Sequence, residues 1–327
     1  MAVSDVFADG VRPKWPPGLN TVGIPKFTSV ASWLATGTYG WLPSAQGSGC
    51  LDLRGSVTDF TSALASEITR FSCAAYESLL DAGPPETATR SLGWPLVRHY
   101  YATFYSAHAL LRIAGTSLTY LSASVVTDLN KVAGQYLGVS PQLVSGLYLV
   151  GVDSLNRNVV NLKPVSGGKG GSHEEMWSYF LQLLADIENS ILLSQGQIPS
   201  ALQAVQVFTS LRSSLCSQGK NNGAWPSSIR NAVNYRHDYG VWYPYSRSAR
   251  QAGDLAKRMK NWSQLDSPCV LIGTATDDLS KFVDVCNVVN QLMTRALKDV
   301  AKRATVSGKS FVDRYPFKLL RLRQVAP

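Results

Sequence analysis

Apolar residues recur at helical intervals over much of this chain, and the breaks in that recurrence divide it into elements. From about Val57 to Ala82, Phe60, Leu64, Ile68, Phe71 and Tyr76 follow the period of one helix face, and Gly83-Pro84-Pro85 stops it. The next helix, about Glu86 to Ala114, begins twice, with Gly93 as an interruption, Pro95 as a first-turn residue and Gly115 as the stop. Another is predicted from about Ser122 to Gln135. Between Gln142 and Val165 the pattern changes to the apolar runs Leu143 to Val152 and Val159 to Val165, split by Asp153-Ser-Leu-Asn-Arg-Asn158, which reads as a β-hairpin. Gly167-Gly-Lys-Gly-Gly171 links it to helices predicted from about His173 to Leu193 and from about Ser200 to Ser217.

The segment Lys220 to Pro226 reads as a loop whose proline starts a further helix, and that helix is expected to end near Tyr239-Gly240. Helices follow at about Ser248 to Asn261 and Thr276 to Ala304, where Leu279, Phe282, Val285, Val289, Leu292 and Leu297 mark the buried side. Residues 1–55 hold Pro13, Pro16, Pro17, Pro25 and Pro43 with Trp15, Trp33 and Trp41 and show neither period, so an irregular arm is expected. The expected fold is therefore mainly α: an arm over 1–55, then a helical domain over 56–327 with a hairpin insertion at about 142–165.

Composition sets the class. A chain of 327 residues, 45% hydrophobic and 16% charged, can bury a sizeable core. The 31 basic against 22 acidic residues give a net charge of +9, which favours a polyanionic partner such as RNA. The basic residues concentrate at about 298–327, either as a solvated helix face or as an RNA contact. No run of about 18 apolar residues appears and the first residues lack a signal-peptide pattern, so no membrane association is expected. Five scattered cysteines without a C-x-x-C spacing argue against both a disulfide framework and a zinc site, and point to reducing cytoplasm. No cofactor is expected.

The candidate chemistry lies in Ser228-Ile-Arg-Asn-Ala-Val-Asn-Tyr-Arg-His-Asp-Tyr-Gly240. In a helix, Arg230 and His237 return to one face roughly 10 Å apart along the axis. Arginine suits phosphate oxygens, and histidine suits proton transfer near neutrality. A helix end tied off by the same two residues is the competing reading. Arg230-Asn231…His237-Asp-Tyr239 resembles the R-N-x(4–6)-H signature, with an H-x-Y extension, of the HEPN family of helical RNases and nucleotide-binding domains. The run Arg98-His-Tyr-Tyr-Ala-Thr-Phe-Tyr-Ser-Ala-His-Ala-Leu-Leu-Arg112 resembles a helix that opens many members of that family.

The resemblance implies a helical bundle of HEPN type and a metal-independent endoribonuclease. It would leave a 2′,3′-cyclic phosphate, act as a homodimer and work as a toxin or phage-defence effector with an antitoxin or activating partner. It makes Arg230 and His237 catalytic. Asn231, Asn234, Arg236, Tyr239 and Arg98 then support substrate, and Tyr239 corresponds to a residue that some members have modified. Tyr235, Trp242, Tyr243 and Tyr245 are either base-stacking platforms or core. Tyr101, Phe104, Tyr105 and Leu111 are expected in the core, and His99 and His108 are read as structural. His173-Glu174-Glu175 lacks the second histidine of a metalloprotease, and neither Gly167–Gly171 nor Val306-Ser-Gly-Lys-Ser310 has a Walker A spacing. Two further readings stay open: a non-catalytic RNA- or nucleotide-binding module, and a capsid- or nucleoprotein-like assembly subunit.

Overall fold

A computed structural model of the chain describes residues 3–42, 49–55, 57–80, 91–165, 171–195, 198–243, 249–264 and 275–323. In chain order the elements are α1 (Val3–Val11), α2 (Val30–Leu34), β1 (Gly40–Leu42), β2 (Leu51–Arg54), α3 (Val57–Leu80), α4 (Gly93–Ile113), β3 (Thr116–Leu121) and α5 (Ala123–Leu137). They continue with β4 (Gly146–Val152), β5 (Val159–Pro164), α6 (Gly171–Gln195), α7 (Pro199–Leu215), α8 (Trp225–Tyr235), α9 (Ala249–Met259), α10 (Asp278–Lys302), α11 (Phe311–Arg314) and α12 (Pro316–Leu322). The chain is mostly helical with a small antiparallel sheet. The expected Gly83-Pro84-Pro85 stop, the helix start over 86–90, most of the 167–171 link, Tyr245 and Cys269 lie outside the described residues.

The predicted hairpin is there as β4 and β5, with Val150 opposite Leu162, but it is the middle of a larger sheet of order β1-β2-β5-β4-β3. The described part of the stretch 1–55 is not an irregular arm. It supplies β1 and β2, and α1 buries Val6, Phe7 and Val11 against α6, α7 and α10. Gly10 lets α1 approach closely, since a Cβ there would meet Ile191 Cγ1 at 2.8 Å. A helix of nine residues is marginal alone, so its stability comes from these tertiary contacts. Its end is tied by Arg12, whose Nε donates to Asp299 Oδ2 of α10 at 2.9 Å. The basic tail also folds back, burying Phe311, Val312, Phe317 and Leu320. No helix among the described residues is long and apolar enough to cross a membrane.

Two buried clusters divide the interior. One lies among the helices; the other lies between the sheet and α2, α3 and α5. α3 belongs to both, with Phe60 and Leu64 facing the sheet cluster and Ile68 and Tyr76 the helical one. At the junction sits Glu67, which accepts from Arg112 Nε of α4 (2.5 Å), Ser117 Oγ of β3 (2.9 Å) and the Val30 N–H of α2 (2.9 Å). Arg112 spends its remaining donors on the His108 and Leu118 carbonyls and on His108 Nδ1. Burial pushes the Glu67 carboxyl up, but Arg112 and the two further donors hold it below its ordinary value.

α4 packs on α3, α10, α8, α6 and β3, so its position sets much of the helical layer. Polar side chains of α10 fix its register: Asn287 Oδ1 lies 3.1 Å from His99 Nε2, Ser106 Oγ donates to Asn290 Oδ1 at 2.6 Å, and Tyr76 Oη donates to Thr294 at 3.1 Å. Such buried polar contacts are costly when left half made.

Glu67→Ala leaves Arg112 buried without its counter-ion, and urea denaturation is expected to show a loss of about 3–5 kcal/mol. The double variant Glu67→Met with Arg112→Met should recover most of that loss. A Glu67→Ala protein with an unchanged midpoint would remove the pair from its place at the junction.

His99 offers a second prediction. Burial pushes its imidazole down to about 4 from an ordinary 6.5. As pH falls through 6.5 the unfolded chain takes up a proton that the folded chain refuses, so stability is lost progressively down to about 4, by roughly 3 kcal/mol. His99→Gln should show a correspondingly flatter fall between pH 7 and 4.5 in the same assay, and an unaltered slope would refute the assignment.

Candidate functional site

α8 starts as predicted, with Pro226 in its first turn, and buries Trp225, Ile229, Ala232 and Val233. It ends earlier than expected. Arg236 caps it, and the chain then takes left-handed backbone at His237 (φ 54°), Tyr239 (φ 72°) and Gly240 (φ 55°). The shared helical face predicted for Arg230 and His237 is therefore not formed; His237 stands exposed on a left-handed corner after the helix.

The corner has a physical cause, because the chain must turn back to clamp the start of α4. Val241 accepts from the Leu92 N–H at 2.8 Å, and Trp242 Nε1 donates to the Val233 carbonyl at 2.6 Å. The Trp242 indole lies on Gly93, where a Cβ would stand 2.3 Å from a ring atom, so Gly93 serves this close approach. Left-handed backbone costs a non-glycine residue roughly 1–2 kcal/mol. Tyr239 is anchored there by its hydroxyl, which donates to Asp278 Oδ2 at 3.4 Å.

Arg230 is the informative residue. Its side chain is 8% exposed, and its Nε is buried without a hydrogen-bond partner. The guanidinium carbon lies 5.1 Å from the ring centre of Tyr100, 5.7 Å from Tyr101 and 5.9 Å from Tyr235. Among the described residues no carboxylate pairs with it, whereas buried Arg112 has Glu67 and Arg258 has Asp284. A guanidinium cannot shed its charge, so burial with only aromatic faces and a phenol for company leaves it in need of an anion.

Beside it, Tyr100 Oη lies 2.9 Å from His173 Nδ1 of α6 and accepts from Trp177 Nε1 at 3.3 Å. Burial raises Tyr100 above its ordinary value, while bonds from Ser227 and Trp177 and the nearness of Arg230 offset part of that rise. His173 stacks on Phe104 with ring centres 4.2 Å apart, and burial followed by the Arg230 charge lowers its proton affinity. Phe104 in turn meets His108 edge-on at 4.7 Å, and His108 takes the Arg112 proton donor. Burial, then Arg112, His173 and Arg70, keep His108 neutral. Tyr100, Phe104, His108 and Arg112 recur every four residues and so form one face of α4.

The other candidates are spread around this cluster. Asn231 is exposed on α8 and Asn234 half-buried; Arg236 is exposed and pairs with Asp238 at 3.2 Å; Arg98 is half-buried near the start of α4. The His237 ring meets Trp242 at 6.2 Å, and Tyr235 and Tyr243 are exposed. Sequence reasoning passed over Tyr100, Ser227 and His173 as site residues. The four-residue recurrence on α4 was a signal for the first; Ser227 lies on α8 one turn before Arg230, and His173 carried no signal because it reaches the site from α6. Among the described residues no three of His, Cys, Asp and Glu gather to hold a metal ion.

No family model, curated protein or solved structure matches the chain.

Replacing an uncompensated buried cation by an apolar side chain removes a desolvation cost. Arg230→Met is therefore expected to leave stability unchanged or raise it by about 1 kcal/mol, while Arg112→Met lowers it by about 3 kcal/mol or more. Thermal unfolding of the two variants side by side decides this. Equal destabilisation by both would make Arg230 a structural residue.

Proposed function

We propose that this chain is a metal-independent endoribonuclease built on a helical bundle of HEPN type, with Arg230 gripping the phosphodiester to be cut. The observation that carries the reading is the buried Arg230 guanidinium without a described carboxylate partner. The match of Arg230-Asn231…His237-Asp-Tyr239 to the family signature and the net charge of +9 support it.

The chemistry needs three services. The 2′-hydroxyl must lose its proton as its oxygen attacks phosphorus, the charge on the phosphorane must be stabilised, and the departing 5′-oxygen must gain a proton. Arg230 answers the second through its fork of donors. His237, on its exposed corner, is the group assigned to move a proton. A homodimer that brings two such sites together supplies the second acid–base group. Asn231, Asn234, Arg236 and Arg98 flank the path of an RNA strand, with Tyr235 and Tyr243 as stacking faces for unpaired bases.

One observation favours a second reading, a phosphate-binding module without cleavage. α8 ends at Tyr235, so the helix does not align His237 with Arg230. Incubation with total RNA in EDTA separates the two. Cleavage is expected, with fragments ending in 2′,3′-cyclic phosphate, and Arg230→Ala and His237→Ala each should lower the rate at least about 100-fold. RNA retained intact but bound in an Arg230-dependent way selects the second reading, and cleavage that requires a metal ion contradicts the first.

A further inference from the structure

His173 stands where the Arg230 site is incomplete. The Tyr100 oxygen already accepts from Trp177 Nε1 at 3.3 Å and lies beside the Arg230 cation, so its single phenol proton is assigned to His173 Nδ1 at 2.9 Å. That places the imidazole proton on Nε2, which makes no hydrogen bond to a described residue and is not sealed in the interior. The ring is held flat by Phe104, at 4.2 Å and 19°, and lies 16° from the plane of Tyr100. A fixed imidazole with an open N–H therefore shares Tyr100 with a cation whose Nε is unpartnered. The three groups come from α4, α6 and α8, which is how rigid elements preorganise a ligand site.

We propose that His173 is the second phosphate ligand of the Arg230 site and takes up a proton when phosphate binds. This rests on the reading that Arg230 holds a phosphate group. In the empty site a proton on His173 sets two cations against each other in a poorly solvated place. The groups facing it are Arg230 of α8, Tyr100, Tyr101 and neutral His108 of α4, and Trp177 of its own helix; beside it on that helix Glu174 accepts from Asn222 Nδ2 at 3.3 Å and Glu175 follows, and the charge that acts on His173 is that of Arg230. A bound phosphate reverses the sign of that interaction. Both cations then face an anion, the Nε2–H becomes a charge-assisted donor, and the second proton is held through Nδ1 to the Tyr100 oxygen, whose phenol proton turns to Ser227. Since binding draws in a proton, affinity must rise as pH falls.

The test uses a probe whose own charge is constant, a thymidine dinucleotide with one 3′,5′-phosphodiester, which also lacks the 2′-hydroxyl needed for cleavage. Titration calorimetry of the full chain between pH 8 and 5.5, in two buffers of different ionisation enthalpy, reads affinity and proton uptake together. The expected result is proton uptake approaching one at the acid end and affinity rising about 10-fold across the range. His173→Gln should keep weaker binding that is flat with pH, Tyr100→Phe should reduce the slope, and Arg230→Met should abolish binding. Imidazole nitrogen shifts of wild-type His173 should move toward the doubly protonated form on adding the dinucleotide, a readout independent of whether any variant folds. A thymidine 5′-monophosphate arm assigns the ligand: tighter binding than the dinucleotide marks a nucleotide monoester site, weaker binding a nucleic-acid diester site, and His173 is protonated in both.

Binding that depends on Arg230 but is flat with pH in wild-type protein, with His173 shifts unmoved, overturns the His173 assignment alone. Absence of binding to wild-type protein removes the Arg230 phosphate reading and this inference with it.

Discussion

The buried ion pair between Glu67 and Arg112 is the constraint on which the arrangement of this molecule depends. It stands where the helical cluster meets the sheet cluster, and it ties α3 and α4 to β3 and to the first turn of α2. An ion pair in such a place is a poor source of net stability, because desolvation consumes most of the attraction. Its value lies in direction. Six hydrogen bonds converge on or radiate from one carboxylate and one guanidinium, so α4 can slide or rotate against α3 only by leaving charges and backbone groups unpaired in the interior.

With α4 held at that end, the four-residue face running back along it becomes a rigid column. Arg112, His108, Phe104 and Tyr100 lead from a cation that has its counter-ion to one that has none among the described residues. Both histidines in contact with the column are kept neutral, chiefly by burial and further by the neighbouring arginine. The asymmetry between the two ends is the physical reason for placing function at Arg230: the same residue type, buried to a similar degree, is satisfied at one end and left waiting at the other. Rigidity at the satisfied end is what keeps the other from collapsing into a self-made partner.

The left-handed corner after α8 serves the same arrangement from the opposite side. Trp242 reaches across Gly93 to grip the start of α4, and the strain at His237 and Tyr239 is the cost of that reversal. The result is a site made by residues far apart in the chain, with Arg230, Tyr100 and His173 brought to one place by three helices and the aromatic residues at its rim. The proposed phosphate grip would need no metal in such an arrangement, and the corner leaves His237 open to solvent.

Much of the fold was legible in the chain itself. A helix buried on one side must repeat its apolar residues every three or four positions, so α3, α5, α6, α7 and α10 were predicted close to their observed ranges, as were the hairpin β4–β5 and the start of α8 at Pro226. The sequence also singled out Arg230, through the residues around it, as a candidate for phosphate contact. Other features were not, because their causes are not local. α1 is too short to announce itself and exists because Phe7 packs on Phe208; β2 and β3 are strands because the hairpin offers them edges to pair with, and β1 because β2 does. The end of α8 was decided by the need of Trp242 to reach Gly93, which no helix propensity encodes. Above all, periodicity tells which side of a helix is buried but not whether a buried charge finds its opposite. That Arg112 meets Glu67, and that Arg230 lies against the rings of Tyr100, Tyr101 and Tyr235 with no carboxylate partner among the described residues, was settled by the tertiary structure alone.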